Sequence, residues 1–147
     1  MGGEPYYYIV PYEADIGGAL QKLRRREFEA GRYNPVTPMP RFPVDPAQRG
    51  PGARHASIEE ALNDSDADGT RSILDLRAIG DTPDFFVAAR LPDETLMEVC
   101  GTARPTRSLA KEQHYFLDHA ERGQGIYVIL YNNGEPDEIL FAGYSFD

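Results

Sequence analysis

The stretch "GIYVILYNNGEPDEILFAGYSF", residues 125–146, consists of two runs rich in β-branched, aliphatic and aromatic residues about a turn containing Asn133-Gly134. An Asn-Gly pair between two such runs is a strong hairpin signal, because both residues tolerate the positive φ of a tight two-residue turn. The chain therefore closes on a β-hairpin. Working back from it, Thr106 or Ser108 opens a helix whose buried face carries Leu109, Gln113, Phe116, Leu117 and Ala120, with Gly123 ending it. "DETLMEVCG" is a short helix started by Asp93 and stopped by Gly101. Strands are expected at Arg71–Leu76 and at Phe85–Ala89, the second after the turn residues Asp81-Thr82-Pro83-Asp84.

In the first half, Tyr6–Val10 is a strand terminated by Pro11. Ile16, Ala19, Leu20 and Leu23 then recur at helical spacing, and Gly31 offers a left-handed cap. Ser57 and Glu60 form a capping box at the head of another short helix with Ile58, Ala61 and Leu62 on its inner side. Residues 31–56 hold six of the twelve prolines, and each removes a backbone donor and restricts its predecessor, so this segment is an irregular loop. A loop of that length inside a compact domain is commonly a lid, a partner-binding segment or a packed connection. The expected architecture is a single α+β domain spanning 1–147: a mainly antiparallel sheet, helices packed on one face, and the C-terminal hairpin. Nine tyrosines, three of them consecutive at Tyr6–Tyr8, are expected to fill the edges and core of that sheet.

The totals restrict function. A chain of 147 residues suits one domain with one core, and 41% hydrophobic with 27% charged residues is an ordinary globular balance. Cys100 is the single cysteine, so no internal disulfide forms, and no segment has the apolar length of a membrane span. These features place the expected location in the cytoplasm, without a membrane or nucleic-acid partner. The net charge is −9, but residues 1–56 carry eight basic and six acidic side chains, a balance of +2, whereas residues 57–147 carry seven and eighteen, a balance of −11. The acidic part repels phosphate backbones and suits a basic protein partner.

Four groups of residues carry candidate chemistry. Asp64, Asp66, Asp68, Gly69 and Asp75 have the spacing of a calcium loop, but Arg71 stands at the eighth place, the twelfth holds Asp rather than Glu, and no sister loop exists. A solvated helix end explains them better. His114 and His119 lie five apart on a helix, which turns their rings away from each other, so no zinc pair is expected. Cys100 beside a histidine is a formal nucleophile and base pair, yet a lone cysteine between Val99 and Gly101 reads as a small hydrophobe. In "GTARPTRS", Arg104, Thr106 and Arg107 surround a helix start suited to an anion; with Arg32 and Tyr33 from the head of the Pro-rich loop they form the candidate ligand-binding set.

The leading expectation is a non-enzymatic acidic domain of the immunity or inhibitor kind that neutralises a basic partner, with no cofactor. The alternative is a binding domain or enzyme for a small phosphate or carboxylate, using Arg104 and Arg107 with the Pro-rich loop as lid. Calcium binding through Asp64–Asp75 is the third. A deep pocket joining residues 32–55 to Arg104 and Arg107 is the observation that separates the second from the first.

Overall fold

The computed structural model describes residues 3–112 and 114–146, so the expected Gln113 contact lies outside the described residues. Five strands, β1 (Pro5–Pro11), β2 (Ala78–Gly80), β3 (Val87–Arg90), β4 (Gly125–Asn132) and β5 (Glu135–Tyr144), form one sheet in the order β1-β5-β4-β3-β2. The helices are α1 (Ile16–Ala30), α2 (Ile58–Asp64), α3 (Asp93–Cys100) and α4 (Arg107–Glu112). Short 3₁₀ segments occupy Ile73–Asp75 and His114–His119. Among the described residues no helix is long and apolar enough to cross a membrane.

The hairpin forms as its sequence requires. Asn132 pairs with Glu135 across Asn133 and Gly134, whose φ values of 52° and 79° are those of the mirror-image turn that matches strand twist. β1 then adds antiparallel to β5, with Tyr8 opposite Phe141 and Val10 opposite Ile139.

Two expectations about the sheet need correction. It is mixed rather than mainly antiparallel, because β4 pairs parallel with β3 and β3 parallel with β2. The cause lies in the connections: α3 and α4 fill the long crossover that carries the chain from the end of β3 back to the start of β4. β2 and β3 are joined by residues 81–86 alone, a return that suffices because β2 is three residues long. Helices also cover both faces, not one. On the first face α1 packs Leu20 and Leu23 against Tyr6, Tyr8, Tyr127, Ile139 and Phe141. On the second, Leu96 of α3 and Phe116 cover Ile126, Val128, Leu130, Leu140 and Ala142. Each strand of the hairpin is apolar on both sides, and a strand of that kind has to be covered twice.

The stretch Arg71–Leu76 is not a strand. Ser72 accepts a hydrogen bond from the Leu74 N–H, and the 3₁₀ turn that follows sends its three apolar side chains into two cores, Ile73 and Leu76 towards the sheet and Leu74 towards Tyr33 and Ala61. α1 begins at the Asp15 carboxylate, which caps the Gly18 N–H, and ends at Gly31 with φ 74°. The Pro-rich segment is anchored at that end. A side chain on Gly31 would meet the Gly52 carbonyl oxygen at 2.2 Å, and the Gly52 N–H donates to Ala30 O at 3.0 Å.

Gly31→Ala therefore has two costs, a left-handed φ without glycine and a clash with residue 52. Chemical denaturation is expected to show a loss of about 1–3 kcal/mol, with cleavage by protease within residues 35–52 becoming faster. A variant as stable as the parent would remove this anchor from the account.

Candidate functional site

A narrow, well-walled groove of about 320 Å³ lies at the free edge of β1. One wall is sheet: Tyr7 and Ile9 of β1, with their cross-strand partners Ala142 and Leu140. The facing wall is Ala110 of α4 with Phe116 and Leu117 of the following 3₁₀ segment. Pro43 and Val44 of the Pro-rich segment close one side, and two guanidinium groups, Arg26 from α1 and Arg107 from α4, stand among these apolar surfaces. Tyr8 also lines the groove although its side chain belongs to the opposite face from Tyr7 and Ile9, so the hollow wraps around the edge of the sheet.

Both arginines are held but not exhausted. Arg107 donates from Nη1 to Glu138 at 3.0 Å, and its side chain is half exposed. Arg26 donates from Nε to Glu27 at 2.8 Å. A guanidinium has five N–H donors, so each keeps donors for a ligand. Glu27 is fully buried and also takes a two-pronged contact from Arg32, at 2.9 and 2.8 Å. Arg32 in turn donates to the Gln48 carbonyl at 2.7 Å. One carboxylate thus ties the end of α1, the start of the Pro-rich segment and its far side together.

The sequence-derived ligand set is dispersed. Arg104 lies over the ring of Tyr131, 5.6 Å from its centre. Thr106 uses its hydroxyl to cap Leu109 at 3.4 Å, at the head of a helix six residues long. Arg32 is tied to Glu27 and the Gln48 carbonyl, beside a second, wider and flatter depression of about 470 Å³ that Arg26 and Arg49 also border. Tyr33 is completely buried; its hydroxyl is hydrogen-bonded to His55 Nδ1 at 2.8 Å, and His55 Nε2 is hydrogen-bonded to Asp64 Oδ2 at 2.9 Å. Of the five, Arg107 alone meets the Pro-rich segment at the groove. Tyr7, Ile9, Arg26, Val44 and Phe116 were not among the candidates. Arg26 belongs to the basic run Arg24-Arg25-Arg26, a pattern that by itself does not distinguish a ligand contact from a solvated helix face, and the signal that marks the edge is the pair Pro5 and Pro11, of the same parity as Tyr7 and Ile9.

The remaining motifs do not assemble. Asp64 is taken by His55, whereas the Asp75 carboxylate turns inward and accepts from the Thr70 N–H and hydroxyl, both at 2.9 Å. Among the described residues no three metal-binding side chains converge. Burial pushes the Cys100 thiol up, away from the thiolate a nucleophile needs. His119 is exposed, and the His114 side chain lies outside the described residues. Burial likewise holds Tyr6 and Tyr8 far above the ordinary phenol range, so neither is a base. No protein-family model matches the chain, and no curated protein or solved structure matches it either.

Asp75 offers a test of this interior. Burial raises its carboxyl above the usual range against the opposing hydrogen bonds from Thr70, and its Oδ2 has no hydrogen-bond partner among the described residues. Below the unfolded pKa both states are protonated and nothing is lost. As pH rises, the unfolded chain ionises first, so the folded state loses stability until the buried carboxyl also ionises. Asn at this position keeps the acceptor and does not titrate. In urea titrations at pH 3, 5 and 7, the stability of the parent relative to Asp75→Asn is expected to fall with pH; a constant or rising difference would contradict a raised carboxyl.

Proposed function

We propose that this domain binds a ligand with an apolar body and an anionic head, carboxylate above all, in the groove at the β1 edge. The observation that carries the reading is the meeting of Pro43 and Val44 with Arg107 and Arg26 around an apolar slot of about 320 Å³. That size falls in the range of small-molecule sites, which are mostly apolar with a few placed polar groups. The apolar walls take the body out of water, and the guanidinium groups receive the head through charge-assisted hydrogen bonds. Arg104 does not line this groove, and the Pro-rich segment contributes Pro43 and Val44 to it.

The acidic surplus supports the immunity-type reading less well. Exposed carboxylates occur on α2 at Glu59 and Glu60, in the turn at Asp81 and Asp84, and on α3 at Asp93, Glu94 and Glu98. α2 joins the side core of Tyr33 and Leu74, whereas α3 covers the second face of the sheet, so the negative groups are spread over separate elements.

Decanoate and decylamine, which share a tail and differ in head charge, test the proposal by titration calorimetry. Decanoate is expected to bind in a one-to-one ratio and decylamine not to bind. Arg107→Ala and Arg26→Ala are each expected to weaken decanoate about tenfold, the ~1.4 kcal/mol of one charge-assisted hydrogen bond. Equal binding of acid and amine, or affinity unaltered in both variants, would overturn it.

A further inference from the structure

We infer that the natural occupant of the groove is an extended, carboxylate-bearing peptide segment that adds as a strand to the free edge of β1. The inference rests on the groove reading above and specifies the class of ligand. Its basis is the main chain. The Tyr12 N–H donates to Asp137 O at 2.9 Å, and the Ser145 N–H donates to Glu4 O at 3.1 Å, so at both ends of β1 the even-numbered residues face β5. In an antiparallel ladder the N–H and C=O of one residue point to the same side and alternate along the strand. Pro5, Tyr7, Ile9 and Pro11 therefore turn their main-chain groups to the open edge, and the two prolines have no N–H to offer.

Two donors remain, the amides of Tyr7 and Ile9, with the carbonyls beside them. Both residues are half-buried and line the groove. The Pro-rich segment reaches this edge through side chains: the Phe42 ring sits 6.1 Å from that of Tyr7 and 5.1 Å from that of Tyr8. None of the described residues hydrogen-bonds to the outward amides of Tyr7 and Ile9. A simple fatty acid satisfies the arginines and the apolar walls but leaves these donors unpaired, and unpaired donors in an apolar setting are costly. An added strand satisfies them, places alternate side chains against Phe116 and Leu117, and brings a carboxylate to Arg26 and Arg107; main-chain pairing with alternate-side-chain specificity is the established logic of strand addition.

The probes are a pool of free-acid hexapeptides alternating apolar residues with glutamate, the fully N-methylated pool, and decanoate. The readout is amide exchange and chemical shift in the ¹⁵N-labelled protein. With the plain pool, the Tyr7 and Ile9 amides are expected to exchange at least tenfold more slowly, and N-methylation is expected to weaken binding at least tenfold. Decanoate is expected to shift groove signals without slowing those two amides. If decanoate binds and the peptides do not, or if peptides bind without protecting Tyr7 and Ile9, strand addition is overturned while the groove reading stands. If neither decanoate nor the peptides move any groove signal, both fall together.

Discussion

The interior of the molecule depends on a hairpin that cannot tolerate water on either side. Ile126, Val128 and Leu130 project from one face of β4 and Tyr127 from the other, while β5 sends Leu140 and Ala142 one way and Ile139 and Phe141 the opposite way. At about 1.5–3 kcal/mol for each large apolar side chain, leaving either side exposed would cost an amount comparable to a domain's whole net stability. Covering both sides requires two layers of helix. Those layers are not joined directly at the β1 edge, and the space between them at that edge is the groove. The candidate site is therefore a by-product of how the hairpin is insulated.

Local signals were legible in the sequence wherever one residue decides the outcome. Asn133-Gly134 set the turn, Gly31 and Gly101 end their helices with left-handed φ, Ser57 caps the helix it heads, and Pro11 ends β1. What failed was the choice between one-sided and two-sided burial. "IYVIL" and "ILFA" are continuous apolar runs, the mark of a sheet covered on both faces, whereas the hairpin signal between them points to an antiparallel sheet with helices on one face. The same ambiguity misplaced "SILDL": three large apolar residues in five read as a strand, whereas a tight turn distributes them between two cores. Of the site, Arg107 was legible because it sits near a helix start. Tyr7, Ile9 and Arg26 were not, since their role depends on which strand ends at the edge and on what the Pro-rich segment lies against, both long-range facts.

Polar burial gives the same domain its internal ties. Glu27 gathers Arg26 and Arg32, Arg32 reaches the Gln48 carbonyl, and Arg24, one turn earlier on α1, donates to the Leu74 carbonyl at 3.0 Å. Removing one partner of a buried ionic group is far costlier than exchanging the whole set for apolar residues, so such a set specifies geometry more than it adds stability. Here the geometry it specifies is the height of Arg26 above the β1 edge and the course of the chain on either side of the prolines.

The pair Pro5 and Pro11 has an outcome that reaches beyond any single molecule. An exposed β-edge invites identical chains to stack endlessly into fibrils, and the longer the uninterrupted row of donors, the stronger that tendency. With an imide nitrogen at each end of the row, a second copy finds a foothold too short for propagation. An edge bracketed in this way stays open to a short segment while offering little to a growing stack of identical chains.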